Sequence, residues 1–151
     1  MKTVSAAPDF ESIQAGQSLP PLTKHVTVEQ IQRYAEASGD RNPIHLDETF
    51  ARSAGLPGAI AHGMLTMAFA NQMVTDWLGE RSLLKRLQGR FAGMVLPGDD
   101  VTCSATVASK DPQTRRVVIN LVVANQRGEK VLNKGVAEAE YPPQRSETHA
   151  A

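Results

Sequence analysis

Asp40 and His45 stand five residues apart in the polar segment Ser38–Asp47, which reads SGDRNPIHLD. A carboxylate beside an imidazole suits proton transfer, because histidine titrates near neutral pH and a carboxylate can fix its tautomer. Pro43 pushes Asn42 out of the helical region, so no helix can run from Asp40 to His45. The segment predicts an acid–base pair on a stiffened turn. From local sequence alone, a plain surface turn with a solvated histidine is the alternative.

A second short stretch, Ala59–Gly63 (AIAHG), places His62 and Gly63 where an apolar run meets the start of a helical pattern. The Gly63 amide would be an unpaired donor at a helix N-terminus, which can stabilise a developing oxyanion. The alternative is that Gly63 only lets the helix start against a strand and that His62 is a packed cap residue. A metal site is disfavoured, because His45 and His62 lack paired-ligand spacing and no Cys or Glu cluster accompanies them.

Helices are predicted around both stretches. The segment TVEQ, beginning at Thr27, fits a capping box for a helix that Gly39 ends. Asp47 fits the cap of a second short helix that ends near Gly55. Residues 62–78 form a third helical segment that is apolar on most sides, which indicates a buried helix.

The remainder of the chain reads as strands separated by turns, with predicted ranges 83–95, 101–108, 115–124 and 130–141. Helices first and consecutive strands afterwards favour an α+β fold with an antiparallel sheet. One buried helix and one sheet suggest a sheet curled around a central helix.

Composition limits the classes of function. The chain has 151 residues, the size of one domain, which we expect over residues 10–141 between a flexible N-terminus (1–9) and a flexible C-terminal tail (142–151). Its 16 basic and 16 acidic residues give zero net charge, which argues against nucleic acid or membrane as partner. The single cysteine, Cys103, lies in an alternating run and is expected in the core. Without a signal-peptide pattern or an apolar run of membrane length, a cytoplasmic protein is expected.

Three segments together resemble one protein family: YAEASGDRNPIHLDETFA, AIAHGMLTM and RFAGMVLPGDDV. They are similar to the MaoC-like (R)-specific enoyl-CoA hydratases and (3R)-hydroxyacyl thioester dehydratases, most of all to the catalytic dehydratase subunit of mycobacterial-type fatty-acid elongation. The resemblance covers about residues 10–141. It implies the hotdog fold, a curved antiparallel sheet wrapped around one long helix, commonly paired into a dimer.

The resemblance also implies a reaction, the reversible hydration of trans-2-enoyl thioesters to (R)-3-hydroxyacyl thioesters. Asp40 and His45 would activate one water, and the Gly63 amide would stabilise the enolate-like thioester oxygen. Asn42 would hold the loop and contact the water. His62 and Asn71 would belong to the substrate site, Asn71 at a position where some relatives carry serine. No metal or organic cofactor is implied, because the thioester already acidifies C2.

The substrate carrier would be coenzyme A or an acyl carrier protein. Arg81, Lys85, Arg86 and Arg90 crowd one region after the long helix, and Arg86 and Arg90 are candidates for contacting the carrier phosphates. Lys85 and Arg86 should point to opposite faces of a strand, so at most one joins Arg90. The alternative is a solvated strand face.

Two other functions and two assemblies stay open. An acyl-thioester hydrolase of the hotdog group is one alternative, although that chemistry does not need the Asp40–His45 pair. A non-catalytic acyl-carrier-binding partner subunit is the other, although such subunits usually lose the pair. A homodimer is expected, with a heterodimer of related hotdog subunits as the alternative.

Overall fold

A five-stranded antiparallel sheet wraps one long helix in this computed structural model, which describes residues 6–144. The helices are α1 (Val28–Ser38), α2 (Pro43–Leu46), α3 (Glu48–Ser53) and α4 (Gly63–Leu78). The strands are β1 (Leu22–His25), β2 (Leu83–Phe91), β3 (Asp100–Asp111), β4 (Arg116–Asn125) and β5 (Lys130–Glu140). Short 3₁₀ turns lie at Phe10–Ser12 and Gly79–Arg81. Helix α4 contacts all five strands, so the expected α+β fold with a central helix is confirmed.

The sheet has the order β1-β3-β4-β5-β2, with every neighbouring pair antiparallel. Alternate residues of β3 and β4 are buried and belong to one hydrophobic core with the inner face of α4. Cys103 is among them, and burial raises the pKa of its thiol to about 11. The prediction that this cysteine is a core residue is therefore confirmed.

The predicted caps explain where the front helices begin and end. The Thr27 hydroxyl accepts from the Gln30 amide at 3.1 Å, and Gly39 ends α1 in the left-handed region at φ 77°. Only this half of the capping box forms, because the side-chain oxygen of Gln30 is buried without a partner in the described part of the chain. Asp47 caps α3 by accepting from the Phe50 amide at 3.0 Å.

Two strand predictions need correction. Strand β1 was not predicted, since the front half of the sequence reads as helical. It has only four residues and is held by pairing with β3, from Leu22 opposite Cys103 to His25 opposite Asp100. Strand β2 ends at Phe91 instead of Val95, because Phe91 and Leu132 are the last residues in register with β5 and only the Ala92 amide bonds beyond them, to the Val131 carbonyl at 2.9 Å.

Helix α4 is less enclosed than its sequence predicts. Seven of its residues are buried, but Met64 is 55% exposed, and Ala68 and Thr75 are exposed on the same helix. An open strip therefore runs along part of the central helix. Within residues 6–144, no helix is both long enough and apolar enough to cross a bilayer.

The predicted flexible ends fall partly outside the described residues, which exclude 1–5 and 145–151. The parts that are described make contacts with the domain. The Tyr141 hydroxyl donates to the Pro8 carbonyl at 3.1 Å, and the Arg115 guanidinium donates to the Pro142 carbonyl at 2.8 Å.

Candidate active site

The loop between α1 and α2 is built from two consecutive side-chain-to-backbone hydrogen bonds. Asp40 Oδ1 accepts from the Asn42 amide at 3.2 Å, and Asn42 Oδ1 accepts from the Ile44 amide at 3.2 Å. Asn42 has φ −56° and ψ 128°, outside the helical region as expected before Pro43. One detail differs from the predicted turn: His45 lies on the one-turn helix α2, which Asn42 caps and Pro43 begins.

A backbone carbonyl fixes the tautomer of His45. Its Nδ1 lies 2.7 Å from the Ile60 carbonyl oxygen. Because a carbonyl only accepts, Nδ1 carries the hydrogen and the lone pair of the neutral ring is on Nε2. That Nε2 faces Oδ2 of Asp40 at 3.9 Å. The His45 side chain is 9% exposed and the Asp40 side chain 52% exposed, so the pair lies at the boundary between protein and solvent.

Arg41, the one basic residue inside the loop, pairs with Glu36 and not with Asp40. Arg41 turns back onto α1 and donates to both carboxylate oxygens of Glu36, at 3.0 and 2.9 Å. This hydrogen bond with Arg41 lowers the pKa of Glu36. Asp40 therefore faces His45 without competition from its neighbour in sequence.

His62 lies beneath the pair and is 2% exposed. Its Nε2 donates to the backbone carbonyl of Asp40 at 2.9 Å. Its ring stacks on His45, with centroids 3.9 Å apart and planes 24° apart, and meets the Tyr34 ring at 4.7 Å. The substrate contact that the sequence predicted for His62 stays a prediction.

Asp40, His45 and His62 bring three potential metal-ligand atoms within 4.8 Å of one another. Their geometry does not suit a metal. An imidazole binds an ion along a lone pair in the ring plane, and the two nearly parallel, stacked rings cannot aim such lone pairs at one point between them. In addition, Nε2 of His62 is committed to the Asp40 carbonyl.

Gly63 is the first residue of α4, so its amide has no acceptor within the helix. The ring of Phe91, at the end of β2, packs directly against it: a Cβ at position 63 would meet three ring carbons at 3.2 to 3.3 Å. Glycine thus allows β2 to approach the start of α4. The adjacent His62 binds Asp40, so the free amide and the Asp40–His45 pair belong to one region.

A cavity of about 200 Å³ opens beside His45. Its lining is mostly apolar and comes from α1, α2, the first residue of α3 and two loops, including Ile31, Leu46 and Pro97. A larger depression of about 460 Å³ on β3 and β4 has no ionisable side chain in its lining, so it offers no acid–base chemistry.

The other predicted substrate residues lie apart from this cluster. Asn71 is two turns into α4, about 12 Å along the helix axis from its start. Arg86 is 3.9 Å from Glu138 on β5. Arg90 lines an open depression of about 330 Å³ together with Lys134. No described contact joins these three residues to Asp40 and His45, and their roles in binding stay predictions.

Three contacts of the site were not predicted: the Ile60 carbonyl on His45, the Tyr34 ring on His62 and the Phe91 ring on Gly63. Tyr34 lies in the first of the three quoted motifs and at helical spacing after Ile31, but neither signal indicated a contact with His62. The Ile60 contact has no side-chain signature, because every residue carries a carbonyl.

Known proteins resemble most of this chain. Residues 10–127 match the family model described as MaoC like domain. The chain is 37% identical over 110 residues to fatty acid synthase subunit beta of Aspergillus oryzae, a match that covers 71% of this chain and 5% of that protein. The chain therefore spans only a small part of this curated relative.

Solved structures give the same fold. The R-hydratase PhaJ1 of Pseudomonas aeruginosa superposes with a TM-score of 0.81 at 32% identity, over 89% of this chain and 86% of that one. The truncated HadBC complex of Mycobacterium tuberculosis, a 3R-hydroxyacyl-ACP dehydratase, has a TM-score of 0.69 at 21% identity, over 85% of this chain and 98% of that one. At that identity the second likeness concerns the fold alone.

Proposed function

Because the chain belongs to the family of MaoC-like domains, we propose that it is a hydro-lyase that interconverts trans-2-enoyl thioesters and (R)-3-hydroxyacyl thioesters. The R-hydratase that it resembles at 32% identity supports this reaction and its stereochemistry. The relation to a fatty acid synthase subunit supports a place in fatty-acid metabolism.

The observation that carries the proposal is the gap between Asp40 and His45. Nε2 and Oδ2 are 3.9 Å apart, too far for a direct hydrogen bond but close enough for both to contact one water oxygen at normal distances. Both atoms are acceptors, so the water donates a hydrogen bond to each and turns its lone pair outward. His45, held by the Ile60 carbonyl and facing the Asp40 carboxylate, can then take one proton from the water as its oxygen attacks C3.

Asp40 and His45 together take one proton from the water and return one to the substrate. The water oxygen bonds to C3, and the electron pair of the C2–C3 double bond moves into the thioester, giving an enolate-like oxygen. The proton taken from the water is then delivered to C2, so neither side chain changes its protonation over a cycle. The Gly63 amide is the proposed donor to the enolate oxygen, and a donor of this kind contributes about 2.7–4 kcal/mol in a transition state.

The carrier and the assembly form part of the proposal. A coenzyme A or acyl carrier protein thioester enters at the open edge of the site, with Arg86 and Arg90 as candidates for its phosphates. A second hotdog subunit, identical or related, covers the exposed strip of α4 and the exposed Phe91 ring, which is 49% exposed in the single chain. The reaction needs no metal or organic cofactor, because the thioester supplies the electron sink.

The test is direct hydration of crotonyl-CoA and longer enoyl-CoAs by the purified chain, followed by chiral analysis of the product. Asp40→Asn and His45→Ala should each lower kcat at least ~10²-fold, the range for losing a general acid–base group. Because the two groups act on one water, the double variant should be little worse than either single variant.

Near-normal hydration by either folded single variant would contradict the assignment. Release of free thiol from the acyl-CoA without a hydroxyacyl product would instead identify a thioester hydrolase.

A further inference from the structure

His62 is the only buried histidine among residues 6–144, and the proposed reaction gives it no role. Its ring contacts both members of the catalytic pair through different atoms. Nε2 donates to the Asp40 backbone carbonyl at 2.9 Å, and the ring face lies 3.9 Å from the His45 ring. No other described side chain makes a contact of this kind with both.

The hydrogen bond to Asp40 defines the tautomer of His62. Because the carbonyl only accepts, Nε2 carries the hydrogen. The other nitrogen, Nδ1, is buried and has no hydrogen-bond partner in the described structure. A hydrogen on Nδ1 would be a buried donor without an acceptor, which disfavours the Nδ1–H tautomer.

The two stacked imidazoles are therefore in opposite tautomers. His45 carries its hydrogen on Nδ1, towards the Ile60 carbonyl, while His62 carries its hydrogen on Nε2, towards the Asp40 carbonyl. Each ring is tied to backbone at one nitrogen. The remaining His45 nitrogen is the one that faces the carboxylate of Asp40.

The neighbouring groups do not orient Asp40 and His45 in place of His62. The Tyr34 and His62 rings pack edge to face, with centroids 4.7 Å apart and planes 61° apart, which restricts tilting of the His62 ring. Glu48, the ionisable neighbour of His45 in the adjacent cavity, has its carboxylate engaged by the Ala59 amide at 2.7 Å and by Arg52 at 3.3 Å. It is not the group that orients the pair.

We propose that His62 is a positioning residue, which as the Nε2–H tautomer holds the Asp40 backbone and the His45 ring at the separation that admits one water. The inference rests on the proposed function. It differs from the predicted substrate contact, because His62 acts through Asp40 and His45.

Long-range proton–nitrogen NMR of the wild-type protein tests the tautomers without any substitution. We expect the Nε2–H form for His62 and the Nδ1–H form for His45. The Nδ1–H tautomer of His62 would overturn the proposal, whatever the activity of the protein.

Three variants separate the hydrogen bond from the stack. His62→Gln keeps a donor and loses the ring, His62→Phe keeps a ring and loses the donor, and His62→Leu loses both. The matched control is His25→Gln, which changes an exposed histidine that is paired with Asp100 at 2.7 Å.

We expect His62→Leu to lower kcat about 10²-fold with KM changed less than about threefold, since a misplacement of about 1 Å has that effect on rate. His62→Gln and His62→Phe should each recover part of the loss, and His25→Gln should leave kcat unchanged. A folded His62→Leu with wild-type kcat, or a loss that appears only as a higher KM, would overturn the proposal.

Amide hydrogen exchange makes failure of this inference distinguishable from failure of the proposed function. The amides of Asn42 and Ile44 close the loop turns, so in His62→Leu they should exchange at least ~10-fold faster, while the capped Gln30 amide is unaffected. If the wild type hydrates no enoyl thioester, the proposed function fails. The exchange rates and tautomers still decide whether His62 holds the loop.

Discussion

Asn42→Ala should separate the catalytic effect of the loop from its effect on stability. Asn42 Oδ1 accepts from the Ile44 amide at 3.2 Å and caps α2, a helix of only four residues. A single turn is unstable without its cap, because one hydrogen bond cannot offset the entropy of fixing the turn. Removing the cap therefore frees His45, which lies on that turn.

Thr27→Ala is the matched control, because Thr27 caps α1 by the same kind of bond, at 3.1 Å to the Gln30 amide, away from the site. Each substitution removes one cap, which contributes about 1 kcal/mol to the free energy of unfolding. For a chain of this size that corresponds to a fall in Tm of about 2–4 °C for both variants. Only Asn42→Ala should lose activity, by about 10- to 10²-fold in kcat, since His45 loses its position relative to Asp40.

The assay follows the ultraviolet absorbance of the conjugated enoyl thioester as it is hydrated, alongside thermal melts of both variants. Asn42→Ser should restore most of the rate, because serine caps as well as asparagine does. If Asn42→Ala loses no more activity than Thr27→Ala at an equal fall in Tm, the loop does not position the pair and the reasoning is wrong.

Three further predictions concern the carrier, the assembly and acid stability. Arg86→Ala and Arg90→Ala should raise KM for a short enoyl-CoA and flatten its salt dependence with little change in kcat; unchanged KM at low and moderate salt would exclude both from carrier binding. Light scattering at micromolar concentration should give the mass of two chains, and an active, stable monomer would contradict the proposed assembly. Asp99 is buried, which alone would raise its pKa, but hydrogen bonds led by that from Arg127 lower the pKa below its ordinary value. A lowered folded-state pKa contributes stability above the unfolded pKa of about 3.9, and this contribution is lost as the pH falls through the folded value. The Asp99→Asn variant should therefore unfold at lower denaturant concentration than the wild type at pH 7. Below pH 4 it should lose less stability than the wild type, as denaturant titrations at both pH values would show.

The sequence alone predicted the features that depend on local preference. Thr27 and Gly39 bound α1, and Asp47 begins α3, because capping is a contact between residues three or four apart. Alternation of apolar residues predicted β3, β4 and β5, since the period of two is imposed by the strand itself.

The candidate pair was also visible in sequence, because Asp40 and His45 are separated by one proline-stiffened turn. The side of the sheet on which each β2 side chain lies could not be predicted from sequence. The sheet register shifts between Leu84 and Arg86 and again between Gln88 and Arg90, so a strict alternation cannot assign the basic side chains to one side. Sequence gives the number of charges on this strand, whereas the bulges decide where they point.

Only the tertiary structure decided the tautomer of His45 and its separation from Asp40. The Ile60 carbonyl fixes the tautomer of His45 from 15 residues away, and His62 reaches the Asp40 carbonyl across 22 residues. Strand β1 likewise exists through its pairing with β3. Side-chain types can show that an acid and a base are near each other in the chain. Their tautomer and separation depend on backbone carbonyls, which every residue carries and which acquire a role only when the folded chain brings them to a ring nitrogen.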